Sequence, residues 1–309
     1  MTSTWVVGSG GLLGRHVVRS LRARGDAVLT REIPWYDEEQ SGPALDQGVA
    51  ALGAAAGADP WAVAWCAGAG IVATPREHLE AEVRIFEAFL QRLETLGSMG
   101  SLFLASSAGG VYAGSVASPP FTEDSPTAAL APYGEAKLAM EALASAYAQR
   151  SGARVFIGRI SNLYGPGQNL SKPQGLVSLL CQAQISRQPV GVYVSMDTLR
   201  DYLYVEDAAA MVVAGLQQLA QGEPGVVVKI LASGRGTSIA ALVGEATKVF
   251  RRKPPIVFRV SATSAVQVRD LRVSSLVWPE LDRLARTPLP VGLAATGQSI
   301  KRAMASVRV

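Results

Sequence analysis

Through the first half of the chain, short unbroken apolar runs alternate with longer stretches of helical spacing. Residues 4–7, 27–30, 62–66, 101–105 and 155–160 are apolar runs of strand length. Residues 12–24, 75–96 and 132–150 carry apolar positions three and four apart, the spacing of an amphipathic helix. The last of these opens on Pro132, where a missing N–H costs nothing, and ends before Gly152. Strand and helix in alternation predict βαβ units. Strands buried on both faces read as unbroken apolar runs, so the expected class is α/β with a doubly wound parallel sheet.

From about residue 165 the pattern changes to shorter elements richer in Pro, Gly and Gln. This predicts a first domain over 1–165 and a smaller C-terminal substrate domain over 166–309. Residues 203–219 read as a strand end running into a helix and 226–231 as a strand, so about 198–232 is expected to return to the main sheet. Between Trp35 and Asp59 no clear strand is visible, only an Ala/Gly-rich patch at 50–58; Trp35 and Tyr36 read as packing at the sheet edge.

Composition narrows the classes. With 309 residues, 49% hydrophobic and 17% charged, the chain is large enough for one sizeable domain and an appendage. The uncharged stretch 62–73 is shorter than the roughly 18 residues of a membrane span. Met1 leads directly into Trp5 and a glycine loop without the pattern of a secretory leader, so a cytoplasmic location and no membrane partner are expected. The net charge of +4 is spread out, and its one tight cluster, Arg251-Arg252-Lys253, reads as a solvated face, not a nucleic-acid site. Cys66 and Cys181 lack metal-ligand spacing and read as free buried thiols; His16 and His78 fall in helical segments without ligand partners, so no metal is expected.

The first strand runs into Gly8-Ser9-Gly10-Gly11-Leu12-Leu13-Gly14 and then a helix. In a strand, glycine loop and helix so arranged, Gly8 permits a tight turn, Gly11 lets main-chain amides approach a diphosphate, and Gly14 allows helix to pack closely on strand. The loop predicts a dinucleotide and a Rossmann-like first half. Ala67 and Gly68, just past the run at 62–66, join the same cofactor set. At the end of the second strand, where an NAD enzyme places an acid on the ribose, the chain has Thr30-Arg31-Glu32. A guanidinium at Arg31 and a hydroxyl at Thr30 suit a 2′-phosphate, which favours NADP(H) over NAD(H). The opposing reading makes Arg31 a solvated loop residue and gives the ribose to Glu32.

Tyr133 and Lys137 stand four apart on one predicted helix face. A phenol alone is a sluggish acid–base group near neutrality; an adjacent ammonium stabilises its anion and makes it usable. With the glycine loop upstream and the Ser106-Ser107 pair between, these motifs resemble the extended short-chain dehydrogenase/reductases, in particular the NAD(P)-dependent nucleotide-sugar epimerase/dehydratase family. The resemblance extends through the run Ser106 to Tyr112, the run Arg159 to Gly167 and the run Arg200 to Asp207. It implies that Tyr133 exchanges a proton with a sugar oxygen while hydride passes between sugar and nicotinamide. It implies further that Lys137 binds the nicotinamide ribose, that Asn162 approaches the diphosphate of a nucleotide sugar, and that Arg200 pairs with a phosphate. Many relatives carry a catalytic Ser or Thr three residues before Val111; this chain has Ala108 there, and Ser107 is the nearest hydroxyl for the role. By analogy with the family, the Ala-rich faces of the helices at 75–96 and 132–150 are expected to build a homodimer.

Several functions remain open at this level. One is a 4-epimerase or 4-ketoreductase acting on a nucleotide-activated sugar. Another is an NADPH-dependent reductase of a non-nucleotide carbonyl compound, and a third is a catalytically silent NADP-binding regulator.

Overall fold

The computed structural model describes residues 2–35, 37–68, 70–71, 73–97, 100–170, 175–259 and 268–306. In its first half, β1 (Ser3–Val7), β2 (Ala27–Thr30), β3 (Trp61–Trp65), β4 (Gly100–Ser107) and β5 (Arg154–Ile160) occupy the five apolar runs. They alternate with α1 (Leu12–Ala23), α2 (Glu38–Ala56), α3 (Arg76–Leu93), the short α4 (Ala108–Tyr112) and α5 (Pro132–Ser151). The second half adds β6 (Asn162–Tyr164), α6 (Leu176–Ser186), β7 (Val190–Val192), β8 (Leu199–Tyr204), α7 (Val205–Ala220) and β9 (Gly225–Leu231). It closes with β10 (Gly236–Ser238), α8 (Ile239–Phe250), β11 (Ile256–Phe258), β12 (Asp270–Leu271), α9 (Pro279–Asp282) and α10 (Leu289–Ser306).

Six strands form one parallel sheet in the order β2-β1-β3-β4-β5-β9. The chain winds outward from β1 to β2, then crosses back to β3. The carboxyl ends of β1 and β3 therefore flank the point where winding reverses, the place where open α/β sheets bind ligands. On one face α2, α3 and α5 bury an aromatic core in which the Trp65 ring lies 4.6 Å from Phe89 and 5.0 Å from Phe86. On the other, α1 and α7 pack over Val6, Phe103 and Phe156. Burial on both faces is the physical reason these strands lack alternation.

The stretch without a visible strand is the 19-residue helix α2, capped by the Asp37 carboxylate, which accepts the Gln40 N–H. Its Gly and Pro43 and the low contrast between its faces hide it, yet Leu45, Val49 and Leu52 are buried at helical spacing against the sheet. β2 is left as the sheet's outer strand. Trp35 packs edge-on against Trp65 at the end of the inner strand β3, 5.9 Å between ring centroids, beside the core of that face; Tyr36 lies outside the described residues.

The segment around 198–232 divides. β9 pairs with β5 and α7 lies on the main sheet, whereas β8 pairs with β6, β10 and β12 in a small sheet of its own. That sheet, α6, α8 and α10 share a separate apolar core around Tyr164, Leu180 and Leu293. Asp201 ties the two regions together. Its buried carboxylate accepts from Ser161 Oγ (2.6 Å), from the Ser233 N–H and Oγ (both 2.8 Å) and from the Arg235 N–H (2.9 Å), so the ends of β5 and β9 are bonded to β8.

Candidate active site

The carboxyl ends of the central strands open into a cleft of about 1540 Å³. That exceeds the roughly 300–1,000 Å³ of a single small-ligand pocket and leaves room for two ligands side by side.

One end of the cleft is made by the glycine loop between β1 and α1. Gly8 has φ of +80°, and a Cβ built on it would fall 2.6 Å from the Ala67 nitrogen. At Gly14 a Cβ would sit 2.2 Å from the Gly8 carbonyl oxygen. A side chain at Gly8 would press on the backbone just past β3, and one at Gly14 would drive α1 away from the end of β1. Gly11 is the N-cap of α1, with no side-chain cap and no acid in the first turn, so the helix N-terminus faces the cleft with open amides. Gly10, Leu12, Leu13, Ala67 and Gly68 line the same wall. This cradle fits the diphosphate of a dinucleotide: main-chain donors, a helix N-terminus and no Cβ in the way.

Arg15, which the motif reading passed over, reaches into this end. Its Nη2 donates to the Gly10 carbonyl at 2.5 Å and its Nε to that of Gly11 at 3.2 Å. The available signal was a cation directly after Gly14, in the first turn, where the helix dipole disfavours one. The Glu82 carboxylate on α3 was also missed; it accepts the Gly70 N–H at 2.8 Å and holds the loop after β3 in place. Cys66, at the mouth of that loop, is a free thiol whose pKa burial pushes far up, so it stays protonated. Thr30 ends β2, and the exposed Arg31 just after it donates to the Gln47 side chain on α2 at 2.8 Å.

The middle of the cleft holds the sequence-predicted pair. Tyr133 and Lys137 lie in the first turns of α5, with the Lys137 ammonium 5.9 Å from the Tyr133 ring centroid. Lys137 is buried, and its Nζ lies 3.4 Å from the Ala105 carbonyl oxygen at the end of β4. Ser107 faces them across the cleft as N-cap of α4, accepting the Gly110 N–H at 3.2 Å, which leaves its own hydroxyl proton free to donate outward. Ala108 turns the other way, 2% exposed in a cluster with Val111, Tyr112 and Phe121. The two adjacent serines have different fates. Ser106 donates to Glu141 at 2.5 Å inside the protein, so only Ser107 offers a hydroxyl that the substrate can reach without breaking a buried bond.

Beneath this site lies an ion pair absent from the predicted set. Arg159, on β5, forks onto Glu141, on α5, with Nη2 2.7 Å from Oε2 and Nε 3.1 Å from Oε1; its Nη1 donates to the Tyr112 hydroxyl at 2.7 Å. Both charges are nearly excluded from solvent, which makes removal of one partner costly. The network joins β5 to α4, whose N-cap is Ser107, and to α5, which carries Tyr133 and Lys137. Its signal in the sequence was a lone cation inside the apolar run of β5.

At the far end, Asn162 and Arg200 line the cleft. The Asn162 amide donates to the Asp201 carbonyl at 2.9 Å. Arg200 Nη1 donates to the Leu199 carbonyl at 2.8 Å and reaches that of Arg269 at 3.5 Å. Burial draws its pKa below the ordinary guanidinium value. A half-buried cation opening on a cleft, with the Asp270 charge in its field, can take an anionic ligand. Among the described residues no group of three or more His, Cys, Asp or Glu is placed to hold a metal, and no helix is long and apolar enough to cross a membrane.

Comparison with known proteins agrees with this geometry. Residues 4–230 match the model of the NAD dependent epimerase/dehydratase family. UDP-glucose 4-epimerase of Azospirillum brasilense is 31% identical over 166 residues, 50% of this chain and 47% of that protein. The dTDP-4-dehydro-6-deoxyglucose reductase of Escherichia coli is 29% identical over 116 residues, 38% of this chain and 36% of the other. The chain thus spans about half or less of the length of these curated relatives. Among solved structures, MoeE5 in complex with UDP-glucose and NAD is 25% identical with a TM-score of 0.80, covering 98% of this chain and 99% of that one. UDP-glucose 4-epimerase of Thermotoga maritima, solved with UDP-glucose, has a TM-score of 0.83 at 19% identity, covering 98% and 100%. The glycine cradle, the Tyr133/Lys137 pair and the matched family model lead to one conclusion: this chain belongs to the NAD dependent epimerase/dehydratase family, within the extended short-chain dehydrogenase/reductases.

Proposed function

We propose that this protein is an NAD(P)-dependent oxidoreductase or epimerase acting at a carbon–oxygen centre of a nucleotide-activated sugar, as a 4-epimerase or 4-ketoreductase. The observation that carries the proposal is convergence on one cleft: a diphosphate cradle at one end, Tyr133, Lys137 and Ser107 in the middle, and Asn162 with Arg200 at the other end. A dinucleotide held on Gly8, Gly10, Gly11, Leu12, Leu13 and Gly14, with Ala67 and Gly68 below it, supplies hydride exchange when bound.

The chain's own groups handle the proton and the positioning. The Tyr133 hydroxyl gives a proton to, or takes one from, the sugar oxygen, and the Lys137 ammonium stabilises the phenolate that results. Ser107 donates its free hydroxyl proton to the same oxygen and polarises the bond. Asn162 and Arg200 hold the diphosphate, so that binding energy far from the reacting carbon orients it. Asn162 also fixes its own amide on β8, which limits the entropy lost when the ligand arrives.

Arg31 supports NADP(H) over NAD(H), because its guanidinium stands in the open just past β2 and pairs there with neutral Gln47. An enzyme that consumes NADPH each turnover is a reductase, so Arg31 favours the 4-ketoreductase. Outward faces of α3 and α5, which are bridged to each other by the Arg76–Glu135 and Arg150–Glu94 pairs, are where this reading expects a homodimer.

The test is turnover of uridine- and thymidine-diphosphate 4-keto sugars with each cofactor, in the wild type and in Tyr133→Phe. The expected outcome is a lower KM for NADPH than for NADH, and loss of turnover by roughly 10²–10⁴-fold in the variant with dinucleotide binding retained. Unchanged turnover in Tyr133→Phe removes the phenol from the mechanism, and equal use of NADH removes the role given to Arg31.

A further inference from the structure

Among the described residues that line the cleft, the charged side chains are Arg15, Lys137 and Arg200, and no Asp or Glu is with them. In a chain with 29 basic and 25 acidic residues, so one-sided a lining favours anionic ligands. Two of the three cations have an acid in their surroundings. A Cβ built on Gly68 would meet Lys137 Nζ at 3.4 Å and Glu82 Oε2 at 3.8 Å, and the Asp270 charge acts on Arg200. Arg15 differs: among the described residues its side-chain bonds go to the Gly10 and Gly11 carbonyls, and no carboxylate pairs with it. It stands in the first turn of α1, where the helix dipole and the open amides already make the potential positive. A cation there adds to a field of its own sign, an arrangement that an anion in the cleft relieves.

The guanidinium is also held in place. Nη2 and Nε rest on the two carbonyls, and Nη1 turns to the loop after β6, where a Cβ built on Gly167 would fall 2.6 Å from it. Gly167 has φ of +87°, so a side chain there would be strained and would push Arg15 aside. Two carbonyls occupy only part of a five-donor fork whose geometry matches the paired oxygens of a phosphate. Its direction says which phosphate. Arg31 stands just past β2, the outer strand, whereas Arg15 reaches from the end of β1 to a loop that follows β5 and β6, toward the side of the cleft that holds Tyr133 and Lys137. From these contacts, and resting on the dinucleotide reading above, we propose that Arg15 is a specificity-determining residue of the cradle. It binds the phosphate on the nicotinamide side of the dinucleotide, so that the site selects a diphosphate over a monophosphate.

The experiment measures Kd for NADPH and NADH, and for the adenosine halves that end at the first phosphate, 2′,5′-ADP and AMP, in the wild type, Arg15→Met and Arg15→Lys. In Arg15→Met the Kd of the dinucleotide that the wild type binds is expected to rise about tenfold or more, the scale of one charged contact, with the Kd of its half unchanged. Arg15→Lys is expected to recover part of the loss, since a point charge replaces the fork. An Arg15 that merely ties two loops together would weaken whole and half alike. Equal weakening of the two, or no weakening of the dinucleotide, therefore overturns the proposal while leaving the dinucleotide reading in place. Should the half bind too weakly to read, the unligated Tm decides: Arg15 is exposed, so Arg15→Met is expected to melt with the wild type, and a lower Tm overturns the proposal. If the wild type binds neither dinucleotide, that reading fails and this one with it.

Discussion

The two ends of the cleft are built by different means. At the glycine-loop end the recognition surface is main chain, and its shape depends on side chains being absent: a Cβ at Gly8 or Gly14 would meet backbone at 2.6 and 2.2 Å. At the far end the surface is side chain, and its shape depends on other side chains. Asn162 donates to the Asp201 carbonyl and Arg200 to that of Leu199, on a strand that the buried Asp201 carboxylate ties to four groups from two other segments. A main-chain cradle suits a ligand that family members share, since its geometry is common to any strand–loop–helix unit. A side-chain surface can change one residue at a time, which is where specificity is set.

The sharpest way to break this contrast lies at the buried pair between the two ends. Arg159→Met leaves Glu141 charged and unpaired under the site, and a loss of about 3–5 kcal/mol in unfolding free energy is expected from denaturant titration. Replacing both residues with apolar ones of similar volume should recover most of it; if the single change costs little, the pair is not what holds α4 and α5 to β5. A smaller effect is expected at the glycine end. In Gly14→Ala the added carbon has only backbone to push against, which destabilises by about 1–3 kcal/mol and weakens dinucleotide binding, read as Kd for NADPH. If Gly14→Ala instead spared the dinucleotide and weakened the sugar ligand, the division of labour between the ends would be reversed. Smallest is Arg200→Met, which deletes one charged contact to a ligand: KM for the nucleotide substrate should rise about tenfold, near 1.4 kcal/mol, with the Kd for NADPH unchanged.

How much of this was legible in advance follows the range of the interactions. β2 begins and ends where its apolar run does, at Ala27 and Thr30, and the bounds of β1, α1 and α5 fall within a residue or so of the pattern. Gly8, Gly11, Gly14, Tyr133 and Lys137 could be assigned because each role needs only local spacing. α2 escaped because its signal was spread over Leu45, Val49 and Leu52 in a background of Ala, Gly and Pro, whose small residues blur the contrast between faces. The sequence pointed to Ser107 for the hydroxyl, but not to the bond that engages its neighbour Ser106, which runs to Glu141, 35 residues away.

Sequence alone determined the alternation of strands and helices, the glycine loop and the one-turn separation of phenol and ammonium, because backbone preference and side-chain periodicity act over a few residues. Only the tertiary structure decided that Arg159 closes on Glu141, that Asp201 gathers Ser161, Ser233 and Arg235, and that Leu130 and Leu271 line the same cleft as Tyr133. Those arrangements join residues from distant parts of the chain. They are fixed by which buried charges and apolar surfaces the packing of the sheet brings within reach, and no local pattern encodes that.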